Sequence, residues 1–200
     1  MLPTAYEVRE ELIRTPSFIL SCGIRPNDQR PVLLKYPGAT PFGAYDQVRS
    51  EREYRILDSL SCPGIPKPIE FVRRKGQCCI VFEDRGQRPL SRQTPNAPAL
   101  SLTQFLDLAI SLCTIVSELD HRDVVHHQIQ PLHILQCAQS GELTLFGFEF
   151  ATAANRESFA GPAIPSVPGL LAYASPELTG PDEPASGLSN RFLFPRHNLL

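Results

Sequence analysis

The sequence predicts a mixed α+β fold, with a five-stranded antiparallel sheet followed by a region led by one long helix. Two patterns carry that reading. Short runs that alternate apolar and polar side chains, separated by turn residues, occupy the chain up to Phe82, and two other stretches place apolar side chains at helical spacing. A chain of 200 residues, 42% of them hydrophobic, can bury one core or two small ones, so a disordered chain is not expected.

Tyr6 to Ile13 and Phe18 to Ile24 read as the first two strands, joined across Arg14-Thr15-Pro16-Ser17. The Pro26-Asn27-Asp28 turn then returns the chain into Val32-Leu33-Leu34-Lys35, which completes a three-stranded meander. Tyr45 to Leu60 reads as a helix with Ile56, Leu57 and Leu60 on one face, and Glu53 precedes them on that face. After Cys62-Pro63-Gly64-Ile65-Pro66, Ile69 to Arg73 and Gln77 to Phe82 flank Lys75-Gly76 as a β-hairpin. Arg88 to Leu100 is rich in proline and reads as irregular. Ser101 to Leu119 is the clearest helix, opened by a capping box of Ser101 and Gln104. Its expected core face is Phe105, Leu106, Ala109, Leu112, Cys113, Val116 and Leu119. Ile134 to Cys137 and Leu143 to Phe146 form a further hairpin across Gln139-Ser140-Gly141-Glu142.

A carboxylate on a buried helix stripe needs a cation, and Lys35, at the end of an apolar strand, is the expected partner of Glu53. The competing readings are a solvated strand-end lysine and a Glu53 at the edge of the stripe. Acidic and basic residues number 21 and 19 and are mixed along the chain, for a formal charge of −2. That excludes the electrostatic footprint of a nucleic-acid or anionic-membrane binder. The six cysteines show no C-x-x-C spacing, and most lie in apolar runs, as reduced intracellular thiols do. No signal peptide is read at the N-terminus and no apolar run approaches membrane-spanning length, so a cytoplasmic location is expected. The 20 prolines gather around Pro26 to Pro41, Pro89 to Pro98 and Pro162 to Pro184, which mark long loops and linkers.

Val124 to Leu135 reads V-V-H-H-Q-I-Q-P-L-H-I-L: two apolar residues, a histidine, polar residues and a proline before an apolar pair. Together with Lys35, Glu53, Gly147-Phe148-Glu149 and Tyr173-Ala174-Ser175-Pro176-Glu177, in that order, it resembles a eukaryotic-type protein kinase domain from Tyr6 to Gly180. The finer resemblance is to the kinase-like module at the N-terminus of large sensor histidine kinases of cyanobacteria and filamentous fungi. It rests on Arg52-Glu53-Tyr54-Arg55-Ile56-Leu57, Val81-Phe82-Glu83-Asp84-Arg85-Gly86 and Tyr173 to Gly180. The literal His121-Arg122-Asp123 is a decoy, because that register leaves Pro131 and the strand at Ile134 out of step.

The resemblance implies a two-lobe fold: a five-stranded antiparallel N-lobe over residues 1–86, a truncated helical C-lobe over 87–180, and an irregular tail over 181–200. It places Lys35, Glu53 and the hinge residue Glu83 as nucleotide contacts. It also exposes losses. Gln128 stands at the catalytic aspartate, Gln130 at the loop lysine, His133 at the metal-binding asparagine and Gly147 at the magnesium-binding aspartate. Glutamine is no base at neutral pH, and imidazole is a poor magnesium ligand. The turn at Arg14 to Ser17 lacks the glycines that let backbone amides approach phosphates.

Glu149 is the only nearby carboxylate that could restore a metal site, and it is read as a solvated loop residue. The expectation is therefore a catalytically inactive pseudokinase, without metal, serving as a binding or regulatory module in signal transduction. A protein or downstream signalling domain, such as those of two-component systems, would be its partner. Weak ATP binding without magnesium remains open. The alternatives are an active, divergent serine/threonine kinase, a small-molecule phosphotransferase of the same fold, and an unrelated α/β domain.

Overall fold

A computed structural model describes residues 6–38, 44–74, 77–90 and 100–153, with the side chains of 44–46 excepted. The Lys75-Gly76 turn, the stretch 91–99, and everything from residue 154 on, including Tyr173 to Gly180 and Glu177, lie outside the described residues. The fold is α+β. Strands β1 (Glu7–Arg14), β2 (Phe18–Arg25), β3 (Arg30–Pro37), β4 (Pro68–Arg74) and β5 (Gln77–Glu83) form one antiparallel sheet in the order β1-β2-β3-β5-β4. Helix α1 (Ala44–Ser59) leaves β3 and packs on one face of that sheet.

The two-residue period of β3 sets the site. Val32 and Leu34 pack with Cys79 and Val81 on one face, whereas Leu33 lies on the face that holds the main core, and Lys35 follows it there. Strand β1 departs from strict alternation, since Leu12 and Ile13 are both buried. Register shifts after Val8 and Glu11 account for this, because a bulge rotates the strand and lets consecutive side chains face inward.

Beyond β5, a short β6 (Gln87–Pro89) pairs with β8 (Ile134–Cys137), which pairs in turn with β9 (Leu143–Leu145). The irregular stretch expected from Arg88 thus begins as a strand. Helix α2 (Leu102–Asp120) opens with the expected reciprocal bonds between Ser101 and Gln104. Its packing differs from expectation. Only Leu112, Ile115, Val116 and Leu119 are buried, while Phe105, Leu106 and Cys113 are exposed. By length and composition α2 could cross a membrane, contrary to the reading that no run approaches that length, but those four side chains pack it into the core.

Strand β7 (Val124–Val125) pairs with β10 (Thr152–Ala153), a pairing too short to carry a periodic signal. One contiguous core runs from Leu12 and Phe18 through Leu57 and Leu119 to Phe146, Phe148 and Ala151. Among the described residues the part after β6 contains a single α-helix, so its helical character rests on α2 alone.

Candidate functional site

Lys35 lies opposite Leu20 of β2 and Ile80 of β5, in the middle of the sheet, and only 3% of its side chain is exposed. Its ammonium pairs with Glu53 of α1 and donates to Glu149 Oε2 at 2.7 Å. Both carboxylates are as buried as the lysine. Glu53 also accepts from the backbone N–H of Phe148 at 3.2 Å, and Glu149 accepts from Ser17 Oγ at 3.1 Å. The ring of Phe18 covers the ammonium, with its centroid 4.2 Å from Nζ. The β1–β2 turn is thereby fastened to the cluster by two neighbouring residues, Ser17 and Phe18.

One cation therefore serves two buried carboxylates. Burial by itself would raise the pKa of both. For Glu149 the Lys35 charge overcomes burial and holds the carboxyl down at about 2. For Glu53 burial wins, helped by the negative charge of Glu149, and its carboxyl is raised. Lys35 is held above its ordinary value, because the two carboxylates outweigh the desolvation that would lower it.

The segment from Val124 to Phe148 builds the floor. Gln128 is buried, and its backbone is gripped by two histidines. Its carbonyl accepts from His133 Nδ1 at 2.7 Å, and its N–H donates to His126 Nδ1 at 3.2 Å. A carbonyl can only accept, so His133 carries its proton on Nδ1 and its Nε2 accepts from the Gln130 amide at 3.2 Å. By the same reasoning His126 carries its proton on Nε2, which donates to the Phe146 carbonyl at 2.9 Å. Each ring is satisfied as one neutral tautomer. Burial lowers both histidines, His126 to about 3. The Gln128 side-chain Nε2 is buried with no hydrogen-bond partner among the described residues.

Gly147 occupies the left-handed region at φ 88°, and a Cβ there would lie 2.5 Å from His133 Nδ1. Backbone conformation and the histidine ring both demand glycine at this position. The turn Phe148–Phe150 that follows is anchored to α1, where the Arg52 guanidinium donates to the Ala151 carbonyl at 2.9 Å and Arg49 sits 5.2 Å from the Phe150 ring centroid. That anchoring aims Glu149 at Lys35.

Of the residues expected from sequence, the structure brings Lys35, Glu53, Gln128, Gln130, His133 and Gly147 together. Glu83 stands apart: it is exposed at the end of β5 and pairs with Arg85 at 2.8 Å. It borders an open cleft of about 1290 Å³ that is lined also by Arg25, Arg30, Ile65 and Ile110, and by no residue of the Lys35 cluster. The reading of Glu149 as a solvated loop residue is corrected, because its side chain is 4% exposed and ion-paired. A signal for this was present. Glu149 is the only charged residue between Leu143 and Phe150, and a carboxylate embedded in an apolar run needs a buried cation. Ser17 and Phe18 carried no such signal. The decoy His121-Arg122-Asp123 closes α2, with His121 at its C-cap and Asp123 at a positive φ of 53°.

Chemically the cluster can neutralise and rigidify. Lys35 is shared between two carboxylates under an aromatic ring, Gln128 and the neutral histidines offer no ionised oxygen, and no group of three or more metal-ligating side chains occurs among the described residues. No protein-family model matches the sequence, and no curated protein matches it. The class of the molecule thus rests on its own geometry: an α+β domain whose sheet lysine is locked to a helix carboxylate.

Proposed function

We propose that this chain is a protein-kinase-like domain that has lost phosphoryl transfer and serves as a binding or regulatory module in signal transduction. The observation that carries the reading is the Lys35 cluster. A strand lysine paired with a carboxylate of the next helix is the arrangement that positions nucleotide phosphates in kinases. Here the same lysine is also taken by Glu149 and covered by Phe18, which leaves no approach for a phosphate. The order of the five-stranded sheet, α1, α2, the Val124 to Leu135 stretch and the β8–β9 hairpin supports a two-lobe kinase-like reading as well.

The loss of chemistry follows from the same residues. Phosphoryl transfer relies on metal-held positioning and a base near the acceptor hydroxyl. The Gln128 side chain is an amide and no base, His133 is committed to hydrogen bonds with the Gln128 carbonyl and the Gln130 amide, and Gly147 cannot be exchanged for an acid. An active kinase that uses Glu149 as a substitute metal ligand is disfavoured, since both Glu149 oxygens are already engaged, by Lys35 and by Ser17. Incubation with γ-labelled ATP, magnesium or manganese, and generic protein substrates should leave the substrates and the chain unlabelled. Labelling that disappears in Lys35→Met protein would refute the reading. The partner is a protein or a signalling domain such as those of sensor histidine kinases, engaged through surfaces other than the sealed cluster.

A further inference from the structure

The Glu149 carboxylate sits as a bound anion would. Lys35 Nζ donates to its Oε2 at 2.7 Å and Ser17 Oγ to its Oε1 at 3.1 Å, one donor for each oxygen. Lys35 belongs to β3 and Ser17 to the β1–β2 turn, where Thr15 Oγ1 lies 3.0 Å from the Ser17 hydroxyl and helps to hold it. Neither donor depends on the segment that carries Glu149, so the pair stays in place when that side chain leaves. The Phe18 ring covers the ammonium at 4.2 Å, and in this buried setting charge-assisted bonds are stronger than in water.

Of the two carboxylates on Lys35, Glu149 is the one the lysine can spare. Glu53 alone balances the ammonium, stands on the 16-residue helix α1 and accepts the Phe148 N–H as well. Glu149 stands on the three-residue turn Phe148–Phe150, which is held from behind by the Arg52 bond to the Ala151 carbonyl and by the two-residue pairing of β10 with β7. Withdrawal of that turn leaves Lys35 paired with Glu53 and an oxyanion seat open. While the turn is in place, its side chain outcompetes a free anion, because a tethered group binds without the loss of translational and rotational freedom that a free one suffers.

We propose that Glu149 is an internal ligand, an autoinhibitory contact that fills a small-oxyanion seat made by Lys35 Nζ and Ser17 Oγ. Glu149→Ala removes Cγ and the carboxylate, the atoms that acetate supplies, and retains both donors. Thermal melts of the full chain in sodium acetate, against sodium chloride at equal ionic strength and neutral pH, read occupancy of the seat. Acetate should raise the melting temperature of Glu149→Ala protein saturably, by at least about 3 °C over chloride. Three controls should stay at their chloride values: the wild type, Glu149→Gln, whose amide still fills the seat, and Lys35→Met/Glu149→Ala, which lacks the charged donor. A Glu149→Ala chain indifferent to acetate overturns the proposal, and so does an equal response in any control. Where Glu149→Ala protein folds too poorly to melt, its refolding yield in the two salts is the readout; acetate should raise the yield, and equal yields overturn the proposal. Labelling from ATP and binding of acetate are separate readouts, so a failure of the seat and a failure of the inactive-kinase reading are told apart.

Discussion

Glu149 Oε2 accepts a hydrogen bond from Lys35 Nζ at 2.7 Å, across 114 residues of sequence and inside the protein core. With Glu53 on the same ammonium, two carboxylates depend on one cation. Removing one partner from a buried ionic group costs about 3–5 kcal/mol, because the remaining charge is left without compensation.

Lys35→Met should therefore be the most damaging substitution in the cluster, destabilising by about 3–5 kcal/mol, since it strands both carboxylates. Glu149→Gln should cost less, because Lys35 keeps Glu53 and the amide can still meet Ser17. Urea denaturation of the two variants ranks them, and an equal or reversed order would count against the shared-cation description.

An acid introduced at Gly147 should not create a metal site. The residue sits at φ 88° with the His133 ring where a Cβ would go. Left-handed backbone costs a substituted residue about 1–2 kcal/mol before any clash. Gly147→Asp should lower stability by at least about 2 kcal/mol without creating magnesium-dependent stabilisation, as followed by thermal melts with and without the ion.

Acid should weaken the fold through the buried histidines. His126 is lowered to about 3 in the folded chain, against about 6.5 when unfolded, so the unfolded state binds its proton first. The stability this residue contributes is complete above pH 6.5 and is lost as pH falls toward 3. At pH 5 the loss for His126 alone is about 2 kcal/mol. Glu149 adds to the same trend, because its carboxyl is held at about 2 and its contribution fades below the ordinary carboxylate range. Denaturation curves at pH 7 and pH 5 should show the drop, and a pH-independent stability would contradict the neutral, buried assignment.

Glu83 should be dispensable. It is exposed, and among the described residues its carboxylate pairs with Arg85, so Glu83→Ala should change stability by less than about 1 kcal/mol. A loss comparable to that of the Lys35 variant would place it in the cluster after all.

Much of this fold was legible in the sequence because its signals are local. Alternation marked the five strands of the sheet to within a residue or two, the capping residues located the start of α2, and the apolar stripe on α1 placed Glu53 against Lys35. The remainder depends on contacts distant in sequence. Nothing near Phe18 says that its ring will cover Lys35, and nothing near Val124 says that it will pair with Ala153. The face of α2 was over-assigned to the core because periodicity reports which side chains are apolar, and only tertiary packing decides which of them are covered. Glu149 was misread because its loop position suggested solvent, where the surrounding Phe146, Phe148 and Phe150 pointed to burial.

The most direct test of the central claim, that Lys35 is withdrawn from nucleotide chemistry, is a thermal melt of the wild-type chain in millimolar ATP with and without magnesium. A ligand at one hundred times its Kd stabilises a folded protein by about 2.7 kcal/mol, which a melt resolves readily. The sealed cluster predicts no shift in either condition. A shift that requires magnesium and vanishes in Glu149→Ala would contradict the account and identify Glu149 as a metal ligand.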